Sequence, residues 1–179
     1  MSNSSKKVFH TSEAEILSLG MLFPEEVELI EAARQTRNHA QAPYSGYLVG
    51  VAVKSAKTGK IYTGVNVECA TYTQTTHGEQ AAITAMVAAE GPGTKIAMLA
   101  CAAGPREKEI TYAVKVSEKE RQFCNLPAPC GHCLQIIWEN CADDPNVVLL
   151  YVTAEGEICR MTIGDVFPVR FGPKDLGIT

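Results

Sequence analysis

Two short fragments of this 179-residue chain combine residue types that bind metals and move protons. The first is His-Gly-Glu at residues 77–79, and the second is Pro-Cys-Gly-His-Cys at residues 129–133. Each fragment alone is ambiguous, because a single histidine at a helix start usually caps or packs, and a Cys-x-x-Cys pair can be a redox site or half of a structural zinc site. Together they offer an imidazole, two ligand thiols and a carboxylate.

This set of side chains has the ligand types of a catalytic zinc ion. Zinc binds nitrogen and sulfur tetrahedrally, and a catalytic site uses three protein ligands and leaves the fourth position to water. His77, Cys130 and Cys133 supply three ligands, and the free N–H groups at a helix start favour thiolates. We therefore predict Zn²⁺ as the cofactor, with Glu79 as the proton carrier. Cys124 lies upstream of this helix start, and we do not predict it as a ligand.

The two fragments stand at the starts of two predicted buried helices. Residues 78–90 are mostly helix formers, closed by Gly-Pro-Gly, and residues 131–141 are also largely apolar. Apolar runs predict buried strands at residues 96–102 and 147–153, and alternating patterns around a glycine turn predict a hairpin of residues 48–54 and 61–67. The order ββαβαβ predicts a layered α/β domain.

The segments before this domain are less regular. We predict a mobile tail at residues 2–7, a short helix within residues 11–19, and a firmer helix after Pro24 that continues toward His39. The predicted organisation is thus residues 1–24 as a tail with a short helix, and residues 25–179 as one catalytic domain.

Composition limits the classes of partner. A formal net charge of −4 gives no basic surplus for a phosphate backbone, so a small molecule is favoured over nucleic acid. No stretch has the roughly 20 apolar residues of a membrane span, and the N-terminal residues lack the apolar core of a signal peptide. An odd count of seven cysteines indicates reduced thiols, so we expect a cytoplasmic protein without membrane partners.

The paired fragments resemble the signature of zinc-dependent deaminases, His-x-Glu followed by Pro-Cys-x-x-Cys. Over residues 42–176 the chain is similar to the cytidine deaminase family, because residues 43–50, 64–68 and 171–176 look like further family segments in the family's order. The resemblance implies a three-layer α/β/α domain with a mixed central sheet, and a homo-oligomer that is a tetramer or a dimer.

The resemblance also implies a set of substrate-binding residues. Asn66 and Glu68 would hydrogen-bond the ribose 3′-hydroxyl, which agrees with their placement on one face of a strand end. Tyr47 would pack beside the pyrimidine, and the backbone at Gly78 would lie against the base. Phe171 resembles the family's aromatic residue that reaches into the pocket of a neighbouring subunit.

The implied reaction is zinc-dependent hydrolytic deamination of cytidine or deoxycytidine to uridine or deoxyuridine, a step of pyrimidine salvage. An activated water would attack C4 of the pyrimidine. Glu79 would protonate N3 and then carry a proton to the departing ammonia.

Three departures from the family pattern keep two other functions open. First, residues 104–127 form an insertion, which places His77 and Cys130 53 residues apart (130 − 77). Second, Leu134 stands where the family usually has arginine. Third, Gly78 stands where the family usually has alanine, and the smaller residue adds room. These differences motivate a modified pyrimidine nucleoside or another amino-heterocycle as an alternative substrate. A noncatalytic zinc-stabilised module is a second alternative, against which Glu79 argues, since a structural site needs no proton carrier.

Overall fold

The chain folds into a six-stranded sheet with helices on both of its faces. The computed structural model describes residues 7–177. The strands are β1 Glu15–Leu17, β2 Tyr47–Ser55, β3 Ile61–Val65, β4 Ile96–Pro105, β5 Val148–Val152 and β6 Ile158–Thr162. The α-helices are α1 Pro24–Arg37, α2 Gly78–Glu90, α3 Gly131–Glu139 and α4 Ile163–Val166. Short 3₁₀ turns occur at Leu19–Met21, Phe123–Asn125 and Pro173–Leu176.

The sheet is mixed, with the strand order β1-β6-β5-β4-β2-β3. Strands β4 and β5 run parallel, and the connection between them contains α3. The other neighbouring pairs are antiparallel. A parallel pair needs a crossover connection, so this topology places α3 on a face of the sheet with its first residues beside the strand ends.

Strand alternation separates two cores. Small residues of β2 and β4, such as Ala52 and Ala100, face α1, where Leu29 is fully buried among them. Larger residues on the opposite face, such as Val51 and Leu99, pack against α2 and α3. The three-layer α/β/α arrangement with a mixed sheet is therefore confirmed.

A glycine in β3 brings α2 close to the sheet. A Cβ atom at Gly64 would lie 2.2 Å from the backbone nitrogen of Ala82, a separation that no side chain tolerates. Only glycine permits this approach of helix to strand. The N-terminal end of α2, which carries His77 and Glu79, is thereby held close to the sheet.

Most predicted elements are confirmed, but the N-terminal helix within residues 11–19 is wrong. The structure instead has β1 there, paired antiparallel with β6. The edge of β6 offers hydrogen-bond partners to the backbone of β1, and Glu15 forms an ion pair with Arg160 of β6 at 3.0 Å. These contacts with a distant segment outweigh the weak local preference for a helix. Strand β6 and helix α4 were not predicted.

The predicted tail at residues 2–7 lies, apart from Lys7, outside the described residues. The division into residues 1–24 and 25–179 stays a prediction.

Candidate metal centre and active site

The starts of α2 and α3 meet at one point on the face of the sheet opposite α1. His77 is the N-cap residue of α2, Cys130 is the N-cap residue of α3, and Cys133 lies in the first turn of α3. His77 Nδ1 is 3.4 Å from Cys130 Sγ and 3.3 Å from Cys133 Sγ. The structure thus brings together the three residues predicted as zinc ligands.

The separations of these atoms fit a shared zinc ion. Bonds of about 2.0 Å to nitrogen and about 2.3 Å to sulfur at tetrahedral angles place N and S about 3.5 Å apart. The three ligand atoms of His77, Cys130 and Cys133 all lie within 4.8 Å of one another. A donor set of one imidazole and two thiols that opens onto a cavity is the set expected for a catalytic zinc ion.

The Cys133 thiol lies in surroundings that favour its protonated form when no cation is close. Burial, and after it the Glu79 charge, raises the pKa of this thiol above its ordinary range. A divalent cation reverses that preference, because a coordinating thiol is deprotonated. The buried thiol and the metal are therefore complementary.

Glu79 is buried beside the three ligands and is held at both carboxylate oxygens. Its exposed fraction is 6%. Oε2 accepts a hydrogen bond from Cys133 Sγ at 3.2 Å, and Oε1 accepts one from the Tyr151 hydroxyl at 2.9 Å. Burial raises the pKa of the Tyr151 hydroxyl well above its usual value, so this group remains a donor.

A cavity of about 390 Å³ opens in front of these groups. Its wall contains the three ligand residues and Glu79 together with the predicted Tyr47, Asn66 and Gly78. The volume lies within the usual range for small-molecule sites. The structure therefore brings seven of the nine predicted site residues to one cavity.

Asn66 is fixed in the cavity wall by the backbone of β2. Its Oδ1 accepts a hydrogen bond from Val49 N at 2.9 Å, and its Nδ2 donates to Tyr47 O at 2.8 Å. A side-chain amide has two donor hydrogens and two acceptor lone pairs. One donor and one acceptor therefore remain for a ligand.

Glu68 is not among the residues that line the cavity. Its Oε2 accepts hydrogen bonds from the backbone N–H groups of Tyr44 at 2.9 Å and Ser45 at 3.2 Å, and Oε1 accepts from the Ser45 hydroxyl at 2.5 Å. The Ser45 hydroxyl, followed by the two backbone donors, lowers the pKa of the Glu68 carboxyl. Glu68 thus holds the loop that leads into β2.

Phe171 also lies outside the cavity of its own chain. Its side chain is 57% exposed, and its carbonyl accepts a hydrogen bond from Gln135 Nε2 of α3 at 3.0 Å. The residues on either side contact Trp138 of the same helix: the Arg170 guanidinium stacks 4.2 Å from its ring, and a Cβ at Gly172 would lie 2.7 Å from its Nε1. The segment is therefore fixed against α3, while Phe171 itself stays more than half exposed.

Comparison with known proteins identifies the family. The sequence model of the cytidine and deoxycytidylate deaminase zinc-binding region matches residues 24–150, which is more than half of the chain. The chain belongs to this zinc-binding deaminase family. The predicted zinc cofactor and hydrolytic deaminase class are thereby confirmed.

Individual relatives cover most of this deaminase. A curated cytidine deaminase of Halalkalibacterium halodurans is 29% identical over 148 residues, which are 83% of this chain and 95% of that protein. The crystal structure of cytidine deaminase from Burkholderia pseudomallei has a TM-score of 0.60 at 28% identity and covers 80% of this chain and 97% of its own. That of Mycobacterium tuberculosis has a TM-score of 0.58 at 27% identity, covering 81% and 95%.

Gly78 gives this deaminase a tighter contact than the sequence suggested. A Cβ atom there would lie 2.9 Å from Val51 Cγ2 and 3.1 Å from Val49 Cγ1. The room expected from the missing methyl group is therefore occupied by two valines of β2. The glycine lets the start of α2 approach the strand and does not enlarge the cavity on that side.

The insertion, residues 104–127, builds a second chamber next to the cavity. This chamber of about 850 Å³ lies between the insertion and the turn after β5. It shares the wall residues Tyr47, Ala103, Pro127 and Val152 with the cavity. The sequence-based expectation of a loop that emerges beside the zinc site agrees with this position.

Two buried charged residues anchor the insertion. Arg37 of α1 donates to the carbonyls of Gly104 at 2.8 Å and Pro105 at 2.6 Å. Glu157, with 1% exposure, accepts hydrogen bonds from the Ser117 N–H at 2.5 Å and from the Arg121 guanidinium. The insertion is therefore tied to the core at its start and again near its middle.

Sequence reasoning missed Tyr151, which lines the cavity and binds Glu79. The sequence does indicate such a contact, because a tyrosine within a buried apolar strand needs a hydrogen-bond partner for its hydroxyl. The alternation of β5 places it on the same face as Leu149, toward α2 and α3.

All seven cysteines lie within the described residues and are free thiols. Over residues 7–177, no helix has both the length and the apolar character needed to cross a membrane.

Proposed function

We propose that the protein deaminates cytidine or deoxycytidine by hydrolysis, producing uridine or deoxyuridine and ammonia. The observation that carries this proposal is the position of Glu79, whose buried carboxylate lies beside the triad His77, Cys130 and Cys133 and faces the same cavity. A zinc ion with a purely structural role needs no carboxylate beside it that is not a ligand. Family membership supports the same chemistry.

Three side chains would hold the metal, and one would move protons. We assign His77, Cys130 and Cys133 as the zinc ligands. When bound, zinc acts as a Lewis acid that lowers the pKa of a water in its fourth position toward neutrality. Glu79 accepts a proton of that water and delivers it to the pyrimidine N3 while the water oxygen bonds to C4. Glu79 then carries the remaining proton of the new C4 hydroxyl to the amino group as the C4–N bond breaks. One water is consumed and one ammonia is released.

We assign the sugar and base contacts to other residues that line the same cavity. Asn66, oriented by its two hydrogen bonds to β2, offers a donor and an acceptor to a ribose hydroxyl. Tyr47 lies in the same wall beside the base. Glu68, two residues after Asn66 in the segment that follows β3, would complete the sugar contact when the nucleoside binds and this segment moves toward the cavity.

A second candidate substrate is a pyrimidine nucleoside with a bulky substituent. The chamber beneath the insertion shares four wall residues with the cavity, so a substituent could extend there without leaving the protein. Deamination of such a nucleoside would use the same zinc ligands and the same proton carrier.

Ammonia release from a panel of nucleosides tests the proposal. The panel contains cytidine, deoxycytidine, substituted cytidines, adenosine and free cytosine, and the double variant Cys130→Ala with Cys133→Ala is the control for contaminating activity. We expect cytidine and deoxycytidine to be the best substrates. Preference for a substituted compound by tenfold or more would favour the second candidate, and no release from any compound would contradict both.

We further propose that the enzyme works as a homo-oligomer in the cytoplasm. Exposed Phe171, together with the exposed apolar side chains of Val169 and Leu176, supports contact with a neighbouring subunit. The thiols of Cys130 and Cys133, which are not in disulfides, support a location in a reducing compartment.

A further inference from the structure

The side chain of Tyr151 connects the central strand β5 to the proton carrier. Its exposed fraction is 5%, and its hydroxyl donates to Glu79 Oε1 at 2.9 Å. The two residues are 72 positions apart in the chain, so the sheet creates this contact. Tyr151 also lines the cavity.

This hydrogen bond constrains the one carboxylate oxygen that does not contact a metal ligand. Oε2 of Glu79 lies 3.2 Å from Cys133 Sγ, whereas Oε1 is bound by the tyrosine hydroxyl. A glutamate side chain has three rotatable bonds, and a first-turn position in α2 fixes only its backbone. The tyrosine hydroxyl removes the remaining freedom of the carboxylate plane.

We propose that Tyr151 is a positioning residue for deamination, which holds the Glu79 carboxylate in the orientation needed to move protons between water, ring nitrogen and amino group. This inference rests on the proposed function. Tyr151 gives up no proton over the cycle, because it only donates a hydrogen bond. Its effect appears in turnover, since a carboxylate that samples several orientations is correctly aligned for a smaller fraction of the time.

The hydroxyl, and not the ring, carries this role. Every other residue of β5 is apolar, and Leu149 and Leu150 on either face are fully buried. A phenylalanine would fill the space of the ring equally well. A buried tyrosine hydroxyl needs a partner, and here the partner is the proposed catalytic carboxylate.

The same helix offers a matched control at its other end. Tyr62 donates to Glu90 Oε1 at 2.9 Å, the same distance as in the Tyr151 contact. Glu79 and Glu90 are eleven residues apart in α2, which is about 16 Å along a helix. Tyr62→Phe thus removes a tyrosine–glutamate hydrogen bond to α2 at a place that does not line the cavity, while Glu90 keeps its hydrogen bonds from Ser55 and Thr58.

The first experiment compares the steady-state kinetics of zinc-loaded Tyr151→Phe and Tyr62→Phe with cytidine. We expect Tyr151→Phe to lower kcat by about 5- to 30-fold, which is about 1–2 kcal/mol of transition-state stabilisation, with KM within about twofold and zinc content unchanged. Tyr62→Phe should leave kcat within about twofold. Equal kcat for Tyr151→Phe and the unchanged protein, or an equal loss in both variants, would overturn the proposal.

The second experiment asks whether Tyr151 acts through Glu79. In a Glu79→Gln background the proton carrier is absent, so adding Tyr151→Phe should reduce the residual turnover by less than about twofold. A purely structural effect of Tyr151 would lower turnover by the same factor in both backgrounds. That result would refute the positioning role.

A third measurement separates this inference from the proposed function. In thermal unfolding of the zinc-loaded chains, Tyr151→Phe should lower Tm by about 2–4 °C, and the loss should largely disappear in a Glu79→Ala background. If the unchanged protein deaminates no nucleoside, the proposed function fails, and this cycle still tests the contact. If Tyr151→Phe lowers Tm by the same amount with and without Glu79→Ala, Tyr151 does not bind Glu79, and the inference is overturned.

Discussion

The Sγ of Cys133 lies 3.2 Å from Oε2 of Glu79, so a proposed metal ligand and the proposed proton carrier touch inside one cavity. The two residues belong to different helices, α3 and α2. Metal binding and proton transfer therefore depend on the same packing of two helix starts. Variants at the two positions must then be separated by zinc content before their activities are compared.

The first prediction concerns the metal. Purified protein should contain about one zinc per chain, and Cys130→Ala or Cys133→Ala should lose most of it, because two protein ligands hold zinc far more weakly than three. Metal analysis of the purified variants measures this.

Cys124→Ala is the matched control, since Cys124 is an exposed thiol in the short turn before the site. It should keep its zinc. Full zinc retention in both ligand variants would remove these cysteines from the metal site.

The second prediction concerns Glu79. Glu79→Gln should keep the zinc and lose at least roughly 100-fold in turnover, because general acid–base catalysis supplies about 10² to 10⁴. The amide preserves the size of the side chain and can still accept from Tyr151. Turnover within tenfold of the unchanged protein would show that another group carries the proton.

The helices that carry the site could be predicted because their signals are local. Residues 78–90 combine helix formers with a glycine stop, and the structure has α2 over the same residues. The zinc ligands follow from chemistry as well, since the two fragments contain the nitrogen and sulfur donors that zinc prefers.

Contacts between distant segments could not be predicted in the same way. Strand β1 has three residues and exists because β6 offers it an edge, and Tyr151 reaches Glu79 across 72 positions. The period of a strand places Tyr151 on a face, but its partner on that face depends on how α2 lies against the sheet. Likewise, no local pattern shows that Glu68 holds the loop at Tyr44 and Ser45.

The third prediction concerns the neighbouring subunit. Phe171 is 57% exposed and lies outside its own cavity, so Phe171→Ala should lower activity by removing a residue from the site of another chain. Co-expression of Phe171→Ala with Glu79→Gln should restore part of the activity. In a mixed oligomer, a chain with an intact Glu79 receives Phe171 from its neighbour.

Sedimentation of the unchanged protein supplies the second measurement, and we expect a tetramer or a dimer. Phe9→Ala is a control that removes another exposed phenylalanine, with 84% exposure. A fully active monomer, or no gain of activity on co-expression, would contradict a shared site.

The fourth prediction concerns the anchor of the insertion. Glu157→Ala should lower the free energy of unfolding by about 1–3 kcal/mol, because it removes a buried acceptor from Arg121 and from the Ser117 N–H. Urea unfolding measures the loss. Limited trypsin digestion should also cut the insertion faster in this variant, since Lys115 and Lys119 lie in the released segment.

Glu155→Ala provides the comparison. Glu155 pairs with the same Arg121 at 3.3 Å, but its side chain is 44% exposed, so its loss should change stability by only about 0–1 kcal/mol. Equal effects of the two substitutions would mean that Glu157 is not the anchor.

The last prediction concerns the sugar. Glu68→Ala and Asn66→Ala should raise KM for cytidine by about tenfold, since unpaired or lost hydrogen bonds at such a contact cost about 1–3 kcal/mol. Free cytosine should be a very poor substrate even for the unchanged protein, because binding energy from the sugar also positions C4 over the reacting water. Steady-state kinetics with both compounds provide the test.

The two variants differ in what else they remove. Asn66→Ala also breaks the hydrogen bonds to Tyr47 and Val49 of β2, whereas Glu68→Ala frees the loop at Tyr44 and Ser45. A general loosening of the cavity would reduce the turnover of cytidine and cytosine by the same factor. Loss of a sugar contact instead reduces the efficiency with cytidine and leaves the residual rate with cytosine unchanged. Equal efficiency on the two compounds in the unchanged protein would rule out the sugar contact and favour an amino-heterocycle that binds without a ribose.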